Sequence, residues 1–168
     1  MPSAAVELIK NNAFPDSVRA VNLAGEPLKN DLAQALYKLP YIEAVRNLYG
    51  PSEDTTYSTC ARVEAGAAAE PDIGQPIANT RIHILNENLQ PLPIGIRGEL
   101  CIAGAGLARG YLNRPDLTAE KFIEIELLGE TQRIYKTGDR LPGVRQLSQL
   151  FKVSVSTIVQ AHQLLEDQ

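Results

Sequence analysis

The chain has 168 residues, 44% of them hydrophobic, and a formal net charge of −4. This length fits one domain, or one part-domain with a small module, and the composition is that of a globular protein. The sequence contains no stripe of basic residues that would indicate strong binding to nucleic-acid phosphates. No stretch approaches the roughly 20 apolar residues of a membrane span, and the start lacks the pattern of a signal peptide. The sequence therefore predicts a cytoplasmic protein with no membrane partner.

Strands and helices are predicted along most of the chain. Six segments are short and either apolar or alternating, as strands are; they are residues 18–23, 44–49, 55–63, 80–85, 98–103 and 132–136. One helix is capped by Asn30 or Asp31 and runs to about Tyr37, and a second covers residues 115–122. Residues 64–76 are rich in Ala, Gly and Pro, which favours a surface loop. After residue 140 the apolar spacing becomes helical.

The two cysteines and two histidines do not predict a metal site. Cys60 and Cys101 are isolated and lack metal-ligand spacing. They could pair, although buried thiols are the commoner state in a cytosolic protein. His83 lies within an apolar alternation and is interpreted as a structural strand residue, and His162 is far from it.

Residues 47–56 form the first of three loops whose residue types can bind a nucleotide. They follow a predicted strand and combine the ring of Tyr49, a Gly-Pro turn, the hydroxyl of Ser52 and the carboxylate of Glu53. A ring can stack on a base, and a carboxylate with nearby hydroxyls can hold Mg²⁺ near phosphates. An ordinary turn at a strand end also explains these residues.

The second and third loops are residues 98–111 and 135–139. The glycines of the second are spaced G-x-G-x-x-x-G, one residue too long for a dinucleotide fingerprint, so a turn that needs positive φ at the glycines is the simpler interpretation. The third places Asp139 on a tight turn. An ionised carboxylate there can accept hydrogen bonds from both hydroxyls of a ribose, although a surface turn remains the alternative.

In this order and at these separations, the three loops resemble the adenylate-forming, AMP-binding superfamily, in particular the amino-acid adenylation domains of nonribosomal peptide synthetases. Residues 22–28 and 108–122 carry the most specific part of the resemblance, which covers about residues 2–139. The resemblance implies an α/β fold with an incomplete adenylate-forming core. A partial mixed sheet with helices is expected in residues 1–75, and a distorted β-barrel in residues 76–139.

In such enzymes a substrate carboxylate attacks the α-phosphate of ATP, which gives an aminoacyl-adenylate and pyrophosphate, and the product then passes to a peptidyl carrier protein. The resemblance therefore implies ATP and Mg²⁺ as cofactors and an amino acid as substrate. It implies Glu53 as the catalytic ligand of Mg²⁺. The implied nucleotide-binding residues are Gly25, Tyr49, Gly50, Ser52 and Asp139. Tyr49, Glu53 and Asp139 are expected to converge on one ATP molecule.

The amino-acid pocket of the family is lined by positions around these loops. The matching residues are Asn22, Ala24, Leu48, Thr56 and Tyr57. This set resembles that of alanine-activating domains and implies a small apolar substrate. The family's Gly/Ser/Thr-rich phosphate loop, its substrate-binding Asp and its C-terminal catalytic lysine have no counterpart in these 168 residues. Because they supply much of the transition-state stabilisation, we expect a polypeptide of these residues not to catalyse adenylation.

The last segment, residues 140–168, resembles part of the winged helix–turn–helix of GntR-type transcription regulators. By this resemblance residues 155–166 form the recognition helix, and the implied DNA contacts are Arg145, Ser154, Ser156, Thr157 and Gln160. A helical hairpin without a role in nucleic-acid binding explains the same spacing. The segment contains only three cationic residues, Arg140, Arg145 and Lys152, so weak or no DNA binding is expected.

Three functional hypotheses follow from these patterns. The chain is an adenylation core fused to part of a regulator and inactive alone, or a subunit that binds nucleotide or aminoacyl-adenylate while another chain supplies the missing lobe, or a small DNA-binding protein. Gly138 and Asp139 belong to both family patterns, which favours recombination at this point as the origin of the chain.

Overall fold

The computed structural model describes residues 1–93, 96–127 and 129–141. Their contacts divide the chain into two units. The first contains Met1–Ser52 and Thr56–Ile77, and the second contains Glu53–Thr55 with the described residues from Ala78 onward. A 3-10 helix at Ser52–Asp54 contains the residues where the chain passes from the first unit to the second.

The first unit is a four-stranded mixed sheet with two helices. In chain order its elements are α1 (Pro2–Lys10), β1 (Ala20–Leu23), α2 (Asn30–Tyr37), β2 (Ala44–Tyr49), β3 (Thr59–Val63) and β4 (Gln75–Pro76). The strand order is β1-β2-β3-β4. β1 and β2 are parallel, and the other neighbours are antiparallel. Parallel neighbours need a crossover connection, and α2 lies within that connection.

The core of the first unit packs α2 against the sheet. Leu36 of α2 and Val45 of β2 are fully buried in one apolar cluster. Tyr37 ties the end of the helix to the strands, because its hydroxyl donates to the carbonyl of Val63 at 2.6 Å and accepts from the amide of Val45 at 2.9 Å. Burial of a leucine at such a site contributes about 2–5 kcal/mol relative to alanine. This packing fixes the carboxyl ends of β1 and β2 side by side.

The second unit is an antiparallel sheet with one short helix. Its elements are β5 (Thr80–Leu85), β6 (Gly98–Gly104), α3 (Pro115–Lys121), β7 (Phe122–Leu127) and β8 (Glu130–Leu141). The strand order is β5-β6-β8-β7, and every neighbouring pair is antiparallel. Its core includes Leu85, Cys101 and Ile134, all buried. The mixed α/β class predicted from the sequence is confirmed. No described pairing joins β5 to β7, so the sheet is open where a distorted barrel was expected.

β8 is longer than the predicted strand of residues 132–136, because it contains a bulge. Cys101 pairs with Lys136 and Glu99 pairs with Arg140, so β8 contains two more residues than β6 between these two pairs. Gly138 adopts φ 83°, and the hydroxyl of Thr137 accepts a hydrogen bond from the amide of Asp139 at 3.0 Å. This local turn carries the extra residues, after which the strand pairing resumes.

Three further elements were absent from the sequence interpretation. β4 (Gln75–Pro76) lies at the end of the predicted surface loop of residues 64–76. α1 (Pro2–Lys10) begins with a proline in its first turn and buries Pro2 and Ala5. β7 (Phe122–Leu127) alternates two isoleucines with two glutamates, which is the period of a strand with one exposed face. In the part of the chain that the structure describes, no helix has the length and apolar character needed to cross a bilayer. The predicted helices after residue 141 lie outside the described residues.

Candidate functional site

The first unit has a cleft of about 400 Å³ at the carboxyl ends of β1 and β2. It is lined by Gly25, Glu26, Pro27, Leu28, Asn47, Leu48, Tyr49, Gly50, Pro71 and Ile73. Ligands of open α/β sheets bind beyond the carboxyl ends of the strands, and the volume lies in the range of small-molecule sites. The cleft brings together four of the residues predicted to bind nucleotide or substrate: Gly25, Leu48, Tyr49 and Gly50.

The side of the cleft formed by β2 is held by backbone contacts. The carbonyl of Tyr49 accepts a hydrogen bond from the amide of Ser58 at 2.8 Å, while the side chain of Tyr49 is half-buried at the cleft. A Cβ on Gly50 would lie 2.6 Å from the Cα of Tyr57. Only glycine fits there without movement of the backbone. The predicted Gly-Pro turn therefore also serves as a close contact between two chain segments.

Sequence reasoning missed the other side of the cleft. Pro71 and Ile73 belong to residues 64–76, which were interpreted only as a surface loop, yet both line the cleft. The buried side chain of Asn47 donates to the carbonyl of Asp72 at 2.7 Å and so holds this loop against β2. A polar residue in the apolar strand of residues 44–49 was the only signal in the sequence for this contact.

The remaining predicted pocket residues have different surroundings. Asn22 is exposed, and its side-chain oxygen accepts a hydrogen bond from Arg46 at 3.5 Å. Ala24 is half-buried after the end of β1. Thr56 and Tyr57 are exposed, and Thr56 has φ 91°. Of the five predicted pocket residues, Leu48 is the one that lines the described cleft.

Glu53 belongs to the second unit, where its segment is fixed to the glycine-rich loop of residues 104–111. The amide of Ala108 donates to the carbonyl of Glu53 at 2.7 Å. The hydroxyl of Thr55 donates to the carbonyl of Gly106 at 2.5 Å. The phenol of Tyr111 donates to Oε1 of Glu53 at 2.5 Å. Three hydrogen bonds therefore join two short segments. Ser52, one residue earlier, is exposed at the start of the 3-10 helix.

The surroundings of Glu53 favour its ionised form. Burial alone would raise the pKa of this carboxyl, but hydrogen bonds from Tyr111, from its own backbone and from Tyr135, with the positive charge of Lys121, together lower the pKa below its ordinary value. The pKa of Tyr111 is raised by burial and by its hydrogen bond to Glu53. The pKa of Tyr135 is also raised, by burial and by the phenol of Tyr111. Near pH 7 the arrangement is thus one carboxylate with two neutral phenols.

Glu53 is suited to hold Mg²⁺ only with help from a substrate. Among the described residues no group of three or more His, Cys, Asp or Glu side chains could hold a metal ion by itself. Mg²⁺ usually keeps several waters and binds through one or two carboxylates plus substrate phosphates. A single ionised carboxylate with one oxygen already bound to a phenol fits that mode of coordination.

Asp139 lies in the bulge of β8, in the second unit, and is exposed. The bulge is fixed by β6: the hydroxyl of Thr137 donates to the carbonyl of Leu100 at 2.8 Å, and the amide of Gly138 donates to Oε1 of Glu99 at 3.1 Å. The tight turn expected at Asp139 is therefore present inside a strand.

The predicted DNA-contact residues Arg145, Ser154, Ser156, Thr157 and Gln160 lie outside the described residues. Arg140 lies near the end of β8 and forms an exposed ion pair with Glu87 at 3.2 Å.

Three other titratable residues discussed in the sequence analysis lie in strands: Cys60, Cys101 and His83. Both cysteines are free; Cys101 is buried and Cys60 is half-buried. His83 is half-buried in β5, with Nε2 3.2 Å from Oε1 of Gln132. Its placement agrees with the interpretation as a strand residue.

Comparison with protein families finds two matching family models. The model described as AMP-binding enzyme matches residues 1–112. The model described as bacterial regulatory proteins, gntR family, matches residues 131–168. The second match begins inside β8, so its first residues are part of the sheet of the second unit.

Individual relatives and solved structures agree with the first match. The chain is 57% identical over 140 residues to a subunit of the linear gramicidin synthase of Brevibacillus parabrevis, and this match covers 83% of this chain and 3% of that protein. It is similar to the Vibrio cholerae adenylation domain AlmE in complex with glycyl-adenosine-5'-phosphate, with a TM-score of 0.72, 29% identity and coverage of 84% of this chain and 28% of that one. It is also similar to NpsA-ThdA, an artificially fused adenylation–PCP di-domain from Klebsiella oxytoca, with a TM-score of 0.71, 28% identity and coverage of 86% and 29%.

Proposed function

Because the chain belongs to the AMP-binding enzyme family, we propose that it is part of an amino-acid-activating adenylation domain of a nonribosomal peptide synthetase. The observation that carries the proposal is the cleft at the carboxyl ends of β1 and β2, which gathers Gly25, Leu48, Tyr49 and Gly50. The chain spans only 3% of the length of the related gramicidin synthase polypeptide, so the activity of the whole protein is part of the proposal. We further propose three parts: residues 1–75, residues 76–139, and a GntR-like segment of residues 140–168.

The proposed roles in nucleotide binding follow the chemistry of each residue. Tyr49 stacks on the adenine, since its ring is half-buried at the cleft. Gly25 and Gly50 let the backbone approach the nucleotide closely, and Ser52 faces the phosphates. Asp139 accepts hydrogen bonds from the ribose hydroxyls, which its exposed carboxylate can do.

Glu53 is the proposed protein ligand of Mg²⁺. Its ionised state and its location on a segment fixed by three hydrogen bonds support this role. When bound, the cation neutralises charge on the phosphates of ATP. The chain itself contributes a carboxylate already oriented by a hydrogen bond from Tyr111, so little reorganisation is needed when the cation arrives.

The proposed substrate is a small apolar amino acid such as alanine. The proposal rests on the residues at the five pocket positions, of which Leu48 lines the described cleft. The proposed acceptor of the product in the intact synthetase is a peptidyl carrier protein, by analogy with the NpsA-ThdA fusion. Because the reaction consumes ATP, we place it in the cytoplasm.

A polypeptide of these 168 residues is proposed to bind nucleotide without turning it over. The residues present include no Gly/Ser/Thr-rich phosphate loop, and electrostatic stabilisation of the transferring group is the largest part of such catalysis. An amino-acid-dependent pyrophosphate exchange assay with each proteinogenic amino acid should give no signal. Robust exchange with any of them would show that the chain is competent by itself.

Titration calorimetry with a nonhydrolysable alanyl-adenylate analogue tests the binding proposal. We expect saturable binding that Tyr49→Leu weakens several-fold, because stacking of a base on an aromatic ring contributes about 1–3 kcal/mol. Leu112→Ala is the matched control, since Leu112 is 89% exposed in the second unit and should leave affinity unchanged. Absence of binding by the wild-type chain, or equal loss in both variants, would reject the proposed cleft.

DNA binding is the second candidate function, favoured by the GntR family match over residues 131–168. The matched range contains Arg145, Ser154, Ser156, Thr157 and Gln160, which we propose as the DNA contacts. Binding should be weak and sensitive to salt, because the segment from residue 140 onward has three cationic residues. An electrophoretic mobility shift at low salt, with competitor DNA, tests it. A shift that Arg145→Ala abolishes supports this function, and the absence of any shift rejects it.

A further inference from the structure

We propose that Tyr111 is a positioning residue for Glu53, holding one carboxylate oxygen so that the other is presented to the cation. This inference rests on the proposed role of Glu53 as the protein ligand of Mg²⁺. Tyr111 is 58 residues from Glu53 in sequence, and its phenol donates to Oε1 at 2.5 Å. A cation bound to both carboxylate oxygens would compete with this hydrogen bond. The geometry therefore favours coordination through Oε2 alone.

The ring of Tyr111 is itself held in place. It packs edge-on against Phe122, with ring centroids 5.7 Å apart, and its hydroxyl lies 3.5 Å from that of Tyr135. The amide of Tyr111 donates to the hydroxyl of Thr118 at 2.9 Å, which anchors the residue to the middle of α3. The donor to Glu53 thus has little rotational freedom, which is what a positioning residue requires.

The loop that carries Tyr111 is attached to both the sheet and the Glu53 segment. Arg133 of β8 donates to the carbonyls of Ala108 and Arg109 at 2.8 and 2.9 Å. The amide of Ala108 donates to the carbonyl of Glu53. Backbone and side chain of Glu53 are therefore both fixed by one loop, and that loop is fixed by β8. A shift of the carboxylate would break several contacts together.

The nature of the donor also matters. None of the ion pairs found among residues 1–93, 96–127 and 129–141 includes Glu53. A lysine or arginine in the place of the phenol would neutralise the carboxylate and compete with a cation. A phenol is neutral, so it orients the carboxylate without cancelling its negative charge. Outer-shell hydrogen bonds of this kind typically change metal affinity by about 10–100-fold when removed.

The test measures the gain in ATP affinity that Mn²⁺ provides, by titration calorimetry of the 168-residue chain with ATP plus Mn²⁺ and with ATP plus EDTA. Glu53→Gln should abolish the gain. Tyr111→Phe keeps the ring on Phe122 and should reduce the gain about tenfold, with metal-free affinity unchanged. Tyr41→Phe is the matched control: it removes a phenol that donates to the carbonyl of Phe14 at 2.9 Å in the first unit, and both affinities should stay at the wild-type value.

Each outcome of these titrations supports or rejects the role of Tyr111. Loss of the gain in Glu53→Gln and its reduction in Tyr111→Phe support the inference. Loss in Glu53→Gln with a wild-type gain in Tyr111→Phe rejects it and leaves the proposed metal ligand standing. If Tyr111→Phe weakens ATP binding equally with Mn²⁺ and with EDTA, Tyr111 has only a structural role, and the inference is rejected. If the wild type shows no gain, or Glu53→Gln matches the wild type, the proposed role of Glu53 fails and this inference fails with it.

Discussion

Replacement of Arg133 by methionine should destabilise the second unit by about 3 kcal/mol. Arg133 lies in β8, and its guanidinium donates to the carbonyls of Ala108 and Arg109 at 2.8 and 2.9 Å. It also lies over the ring of Phe122, with 4.6 Å between the guanidinium carbon and the ring centroid. Methionine keeps an apolar stem of similar length but can make none of these polar contacts.

The magnitude follows from these contacts. A hydrogen bond to a charged group contributes about 1.5–3 kcal/mol, and the lower end applies because Arg133 is half-buried and water can replace it. Two such bonds give about 3 kcal/mol, and the cation over the ring adds about 0.5 kcal/mol. Arg133→Lys keeps the charge but not the planar fork. We expect it to lose about half as much as the methionine variant.

Amide hydrogen exchange of peptides from β6 and β8 is the appropriate assay, because it reports the opening free energy of this sheet separately from the first unit. Arg81→Met is the matched control. Arg81 forms an exposed ion pair with Glu130 at 3.9 Å, which should contribute less than about 1 kcal/mol. If Arg133→Met lowers the opening free energy no more than Arg81→Met does, the loop does not depend on the guanidinium and the reasoning is refuted.

Three further predictions concern single residues. Gly110→Ala should cost about 1–3 kcal/mol in the same exchange experiment, because φ is 147° and a Cβ would overlap Cγ2 of Thr118; an unchanged value would contradict this. Burial lowers the pKa of His83 below its ordinary 6.5, so the unfolded chain binds the proton more readily. The free energy of unfolding should therefore be highest above pH 6.5 and should fall as the pH is lowered below it. In urea unfolding, His83→Gln should lack this pH-dependent part of the stability. Burial, then the charge of Glu99, raises the pKa of Cys101 to about 12, so iodoacetamide should label Cys60 in the native chain and Cys101 only after unfolding, as mass spectrometry can show.

The elements that could be predicted from the sequence are those whose local signals agree. Residues 44–49 were predicted as a strand and form β2 (Ala44–Tyr49), because a short apolar run ends at a Gly-Pro turn. The helix predicted to run to about Tyr37 forms α2 (Asn30–Tyr37), but its predicted cap at Asn30 or Asp31 was wrong, because the N-cap residue is Lys29 and no side-chain cap is made. In each case burial and turn chemistry indicate the same boundaries.

The misses have separate physical causes. β7 (Phe122–Leu127) follows α3 directly, with no turn residue between them; the predicted helix ended at residue 122, and the alternating residues 123–127 were left unassigned. β8 (Glu130–Leu141) continues past Gly138 because a bulge lets the strand resume, and sequence periodicity cannot show that. α1 (Pro2–Lys10) is stabilised by a distant residue, since Glu26 accepts hydrogen bonds from both the amide and the hydroxyl of Ser3.

The candidate site was predictable where it depends on neighbouring strands. Gly25, Leu48 and Tyr49 follow or end two parallel strands, and the structure gathers them in one cleft. The contact between Tyr111 and Glu53 was not predictable, because it joins residues far apart in sequence and the family resemblance of the loop of residues 98–111 assigned Tyr111 no role. Of the glycines of that loop, Gly104 and Gly110 do have positive φ. Gly106 is required for a different reason, since a Cβ there would lie 2.5 Å from Oδ1 of Asp54.

β8 has partners along both edges, β6 on one side and β7 on the other, and its pairing with β6 extends to Leu141. The pairs between β7 and β8 end at Tyr135, and beyond Lys136 only Arg140 and Leu141 pair with β6. A genetic join at Gly138 and Asp139, where the two family patterns meet, would therefore keep β7 attached to its sheet and affect only those last two pairs. Gene splicing near the end of an interior strand thus preserves most of the pairs of the sheet. The end of such a strand is therefore a position where unrelated coding segments can be combined at little structural cost.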